Sequence, residues 1–72
     1  MPVLGYRRHI LVSRPHLDKQ LGVWIPYASV YSQDKGSMQF QRFSNLPETF
    51  PTEEEAEVYG FAVARDWVDR EH

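Results

Sequence analysis

The spacing of apolar residues changes once along the chain, at Phe50-Pro51-Thr52-Glu53-Glu54-Glu55-Ala56. Before that junction the period is near two, as in strands whose side chains alternate between faces; after it the period is near 3.6, as in a helix. Tyr6 to Ser13 sets Tyr6, Arg8, Ile10 and Val12 on one side and Arg7, His9, Leu11 and Ser13 on the other, which predicts a first strand over 6–13. Arg14 to Gln20 breaks the pattern, because Pro15 confines Arg14 to extended conformations and the polar residues that follow bury no face, so a loop is expected. Apolar residues resume over 21–32, a second strand with a bulge or bend at Pro26, whose nitrogen gives no ladder hydrogen bond. Gln33-Asp34-Lys35-Gly36 reads as a turn, and 37–44 as a third strand forming a hairpin with the second.

The helix start is the clearest local feature. Thr52 is a good N-cap, Glu55 three residues on completes a capping box, and Glu53 and Glu54 put negative charge at the positive end of the helix dipole. The connector before it, Asn45 to Pro51, carries Leu46 and Phe50 to hold it against the core. A helix over 53–70 then places Ala56, Tyr59, Gly60, Val63 and Trp67 on one stripe, which should cover the sheet, and pairs Asp66 with Arg70 on its surface. Glycine inside a helix costs about 1 kcal/mol relative to alanine. Either Gly60 makes room for a bulky sheet residue such as Trp24 or Phe40, or a poor helix former is simply tolerated there. The expected fold is α+β, one small domain over residues 1–72: a three-stranded antiparallel meander with one C-terminal helix packed on one face. Its expected core is Ile10, Val12, Trp24, Phe40, Phe50, Tyr59, Val63 and Trp67.

Size and composition narrow the setting. A chain of 72 residues makes a single domain that buries only about 60% of its unfolded surface, so its stability margin is thin. It has no cysteine, hence no disulfide and no thiolate metal site, which suits a reducing cytoplasm. Met1-Pro2-Val3-Leu4 runs into Arg7-Arg8 with no apolar leader core, and no apolar run approaches a bilayer span, so a soluble cytoplasmic protein with no membrane partner is expected. The net charge of −2 is unevenly distributed. Up to Asn45, six basic residues face two acidic ones, +4; from Leu46 on, two basic face eight acidic, −6. This is either ordinary helix-start acidity beside decorated strands, or a weakly basic strand half offered to an anionic partner.

Catalytic constellations are weak. His9, Ser13, His16 and Asp18 are near one another in sequence but span a strand end and a proline loop without a recognised ligand spacing. Glu53 and Glu57 share a helix face, which capping explains. The four glycines stand singly and make no phosphate cradle. No catalytic residue, cofactor or metal is expected, and the chain reads as non-enzymatic.

Two surfaces remain. If Ile10, Val12, Met38 and Phe40 face the helix, alternation turns Arg7, His9, Leu11, Gln39, Gln41 and Phe43 outward, with Tyr27 and Tyr31 beside them. Arg7, Arg8, Tyr27, Tyr31 and Arg42 are then the candidate partner or nucleic-acid face, unless they are merely good cross-strand neighbours on a solvated sheet. On the helix, Val58, Phe61 and Val68 project away from the stripe and are candidates for self-association or partner docking.

The segments Gly22-Val23-Trp24-Ile25-Pro26, Phe50-Pro51-Thr52-Glu53-Glu54-Glu55-Ala56 and Ala64-Arg65-Asp66-Trp67-Val68-Asp69 resemble small uncharacterised bacterial proteins of about this length. That resemblance implies a fold without a function. Three strands followed by a helix opening Phe-x-Thr-x-Glu-Glu-Ala are also similar to the arm-type DNA-binding domains of phage integrases and to plant AP2 domains, where a three-stranded sheet contacts DNA. The match is to topology and one short motif, and this chain has few basic residues on the corresponding face and an acidic total. The expectation is a non-catalytic interaction module, with homodimerisation as one form of it; the alternative is weak nucleic-acid binding through the open sheet face.

Overall fold

The computed structural model describes the backbone of residues 3–34 and 37–71, with side chains at all of these except 33, 34, 37 and 71. Its elements are β1 (Val3–Tyr6), β2 (His9–Ser13), β3 (His16–Asp18), β4 (Val23–Ile25), β5 (Ala28–Asp34), β6 (Ser37–Phe43) and α1 (Glu53–Glu71). The α+β class and the C-terminal helix hold. The three-stranded meander does not: six strands form a four-stranded antiparallel sheet, ordered β1-β2-β5-β6, and a separate β3-β4 hairpin.

Three local causes account for the difference. The first expected strand is cut at Arg7 and Arg8, whose φ angles of 48° and 66° reverse the chain so that Tyr6 pairs with His9. Positive φ at both central residues is the geometry of a tight hairpin turn, usually given to Asn-Gly. Here the Arg7 guanidinium lies 3.5 Å from the Asp69 carboxylate and 5.8 Å from the Tyr6 ring centroid, contacts that favour the strained turn. The expected loop contains β3, because Asp18 closes a turn: its carboxylate accepts from the Gln20 and Leu21 amides at 3.0 and 3.2 Å, and its carbonyl from Gly22 at 2.8 Å. Gly22 holds φ 68° there, open to glycine without strain. Finally, Pro26 ends β4 rather than bending a longer strand, and Trp24 exchanges backbone hydrogen bonds of 2.7 and 2.9 Å with Phe50 in the connector. Gln33 and Asp34 fall inside β5, and Lys35 and Gly36 of the expected turn lie outside the described residues.

The strand faces are also opposite to expectation. In β2 it is His9, Leu11 and Ser13 that lie beneath α1, Leu11 and Ser13 with no exposure at all. Leu11 is opposite Val30, and Val30 opposite Gln41; on the other side, Ile10 is opposite Tyr31, and Tyr31 opposite Phe40. The core is Leu11, Ala28, Val30, Ala64 and Val68, with Tyr6, Phe43, Phe61 and Trp67 packed around it. Ile10 and Phe40, expected inside, are 51% and 45% exposed, and Val12 is buried but on the far side of the sheet. Trp24, Phe50, Tyr59 and Val63 are half-buried; the Phe50 and Tyr59 rings meet at 5.1 Å and hold the connector to the helix start.

The helix begins as expected: the Glu55 amide donates to Thr52 Oγ1 at 3.2 Å. Its buried stripe, however, is Ala56, Gly60, Ala64 and Val68, four residues apart. Small side chains let the helix lie close on β2, where Ser13 Oγ donates to the Glu57 carbonyl at 2.9 Å. A Cβ at Gly60 would overlap Ser13 Oγ and stand 3.4 Å from Ser13 Cβ and 3.5 Å from the Tyr27 carbonyl. The glycine therefore admits Ser13 and the backbone beside it, not Trp24 or Phe40. The expected outer helix face is lost in the same rotation: Val68 is fully buried, Phe61 half-buried, and of the three only Val58 is exposed, at 61%.

At the helix C-terminus the Tyr6 hydroxyl donates to the Asp69 carboxylate, 2.8 and 3.1 Å from its two oxygens. That hydrogen bond first, then desolvation and the carboxylate charge, raise the Tyr6 pKa, with Arg7 and Arg65 pulling the other way. Because the folded state holds this proton more tightly than the unfolded chain, the contribution to stability is complete below the ordinary tyrosine value near 10 and is lost as pH rises past it. Thermal melts between pH 8 and 11 should fall more steeply for the wild type than for Tyr6→Phe; parallel curves would show that the phenol proton is not held by the fold. Asp66 and Arg70 form the expected surface pair at 3.1 Å.

Candidate interaction site on the open face of the sheet

Because α1 lies on one side only of the four-stranded sheet, no helix among the described residues covers the other side, where Val12 and Ser29 are nevertheless buried. Antiparallel register builds it in rows, since residues directly opposite one another share a face. One row is Ile10, Tyr31 and Phe40; the next is Val3, Val12, Ser29 and Arg42. Tyr31 and Phe40 have ring centroids 4.8 Å apart and tilted planes, and the Arg42 guanidinium lies 5.4 Å from the Phe40 centroid. Both geometries are ones in which aromatic edges, faces and cations attract.

Tyr31 divides the face into two depressions of about 360 Å³ each. The first is lined by Arg8, Ile10, Tyr31 and Met38. The second has Val12 as its buried floor, with Arg14, Arg42, Tyr27, Tyr31 and Phe40 around it. Arg14 and Tyr27 are held there by the Arg14 amide donating to the Tyr27 carbonyl at 2.8 Å, and the Tyr27 ring meets the His16 ring edge-on at 5.5 Å. Among the described residues, every charged side chain lining the two depressions is an arginine. Glu53, Glu54, Glu55 and Asp66 are exposed on the helix instead, so the uneven charge of the sequence becomes two surfaces of opposite sign.

Of the residues proposed from sequence for this face, the structure brings together Arg8, Tyr27, Tyr31 and Arg42. Arg7 is absent from it, turned to Asp69 beside the helix. His9, Leu11, Gln39, Gln41 and Phe43, expected outward, are on the helix side of the sheet. Ile10, Phe40, Met38 and Arg14 also belong to the face; the sequence pattern puts Ile10 and Phe40 in the core, Met38 on the helix-facing side and Arg14 in a loop. Cross-strand register, which places Ile10 and Phe40 beside Tyr31, is the observation that identifies them.

The imagined cluster of His9, Ser13, His16 and Asp18 does not gather. His9 is buried on the helix side with Nδ1 2.6 Å from the Arg7 carbonyl, Ser13 is bonded to the Glu57 carbonyl, His16 lies against Tyr27, and Asp18 closes its turn. Among the described residues no three His, Cys, Asp or Glu side chains are grouped to hold a metal ion. Two other hollows exist: one of about 320 Å³ where Trp67 leaves Gln39 and Gln41 of β6 uncovered, and one of about 540 Å³ by Phe50, Glu54, Glu55 and Val58 at the helix start. No helix among the described residues is long and apolar enough to cross a membrane. Comparison with protein-family models, curated proteins and solved structures finds no match.

Proposed function

We propose that the chain is a non-catalytic interaction module that engages its partner through the open face of the four-stranded sheet. The supporting observation is the contiguity of Ile10, Tyr31, Phe40, Met38 and Val3, all substantially exposed, with arginines around them. Scattered apolar surface residues are ordinary, but adjoining ones rimmed by polar groups mark contact surfaces, and aromatic, methionine and arginine side chains are the types such surfaces favour.

The charge pattern argues against homodimerisation through this face. A second copy laid sheet to sheet would bring two sets of Arg8, Arg14 and Arg42 together with no acid among the described residues lining the depressions, and like charges facing across an interface suppress association. The helix offers little instead, since Phe61 and Val68 belong to the core side and Val58 is exposed without them.

Exposed apolar residues kept for binding contribute little to folding. Ile10→Ser with Met38→Ser should leave the denaturation midpoint nearly unchanged, while components of a cell extract retained by the immobilised wild-type chain are no longer retained. Val58→Ser is the control and should bind as the wild type does. Equal retention by the sheet variant, or equal loss in the Val58 variant, counts against the open face.

A further inference from the structure

Resting on the open-face reading above, we propose that the partner is a single-stranded nucleic acid lying across β2, β5 and β6, its bases on Tyr31 and Phe40 and its phosphates at Arg8, Arg14 and Arg42. Charge complementarity comes first: among the described residues the charged groups lining the two depressions are these three guanidinium groups, which fit an anionic partner. Their spacing makes it a polymer. Arg8 precedes β2 and Arg14 follows it, and at about 3.3 Å per residue the two backbone positions are roughly 20 Å apart, a track rather than a pocket for one small anion.

The shape between the arginines selects the kind of polymer. Tyr31 forms a wall of both depressions, so each combines an aromatic surface with at least one guanidinium, the pairing of stacking platform and backbone charge that unpaired strands use. An acidic amphipathic helix would need one continuous apolar groove, which Tyr31 interrupts. A duplex conceals the base faces that Tyr31 and Phe40 would stack on and presents phosphates alone.

Fluorescence anisotropy of the full chain with labelled ten-nucleotide oligothymidylate and oligouridylate tests this. The same oligothymidylate annealed to its complement, and an oligoglutamate peptide, are the comparison ligands. Binding of the single strands should exceed that of the duplex by about tenfold, with a slope of log K on log salt of about −2 for three phosphates. Tyr31→Ala should weaken it by about tenfold or more. Arg14→Gln, at an exposed position, should reduce the slope by about 0.7 without moving the melt. Amide and ring resonances locate the contact: oligonucleotide-induced shifts should centre on Tyr31, Phe40 and Arg42. Shifts of those resonances by oligoglutamate and not by the strands would overturn the nucleic acid while keeping the open face. Strand binding that shifts only α1 would overturn both. Duplex binding as tight as single-strand binding, or no strand binding at low salt, would overturn the assignment of an unpaired strand.

Discussion

Gly60→Ala should destabilise the chain even though alanine is the better helix former, and adding Ser13→Ala should restore it. The helix propensity gain is about 1 kcal/mol. Against it, the new methyl group overlaps Ser13 Oγ, which is buried without exposure and bonded to the Glu57 carbonyl, with the Tyr27 carbonyl 3.5 Å away. Turning the hydroxyl aside gives up a buried hydrogen bond, about 0.5–1.5 kcal/mol, and pushing the helix off the sheet costs about 1–3 kcal/mol. The net expected loss is about 1–2 kcal/mol for alanine and about 3 or more for Gly60→Leu, whose branch has no space to enter. In the double variant the nearest side-chain contact becomes Cβ to Cβ at the 3.4 Å already present, tight but relieved by a small shift. The propensity gain then remains, so the pair should show a coupling of about 1–2 kcal/mol by denaturant unfolding. A domain of this length has a total margin of about 4–10 kcal/mol, so the leucine variant should lose roughly a third or more of it. Stabilisation by Gly60→Ala alone would mean that the helix does not lie this close to β2.

The second large effect separates two neighbours in β2. Leu11→Ala should cost about 2–4 kcal/mol, because Leu11 sits without exposure between Val30, Ala64 and Val68 and its removal leaves a cavity in a core of few large side chains. Ile10→Ala should cost less than about 1 kcal/mol, since half of that side chain is already in water. At about 4–8 °C per kcal/mol for a domain of this size, the two melts should differ by about 4 °C at the least and by more than about 10 °C at the middle of these ranges. Equal losses, or the reverse order, would mean that β2 presents its other face to the helix.

That pair shows where sequence reading failed. His9-Ile10-Leu11-Val12-Ser13 has apolar residues on both sides, so alternation alone does not say which side is buried. The choice made there, Ile10 inward with Tyr31 outward, is inconsistent with the register, because the two are directly opposite and share a face. Register was hidden by the Arg7-Arg8 turn, which lacks the usual turn residues, and by the β3-β4 hairpin inserted before β5. The helix ends were legible because capping is local chemistry: Thr52 and three glutamates mark the start, and the helix runs over Glu53–Glu71 against an expected 53–70. Its rotation was not. The expected stripe holds Ala56 and Gly60 but follows Tyr59, Val63 and Trp67 to one side of them, whereas the small-residue line of a helix laid close on a sheet continues through Ala64 to Val68. At the open face Arg8, Tyr27, Tyr31 and Arg42 were readable from type and charge, whereas Arg14, Ile10, Phe40 and Met38 follow only from pairing, and Arg7 is drawn off to Asp69.

The order β1-β2-β5-β6 has a consequence in time as well as in space. Three strand pairs, β1 with β2, β3 with β4 and β5 with β6, are separated by only two to four residues in sequence and close locally. Of the strand pairs within the four-stranded sheet, β2 with β5 alone closes over an intervening unit, bringing Ser13 to Ala28 across the β3-β4 hairpin. Loop closure is entropically unfavourable before its contacts form, so among the strand pairings this one is expected to weigh most on the folding rate. Leu11, facing Val30 across that seam, should then slow the folding arm of a chevron when truncated, more than it speeds unfolding.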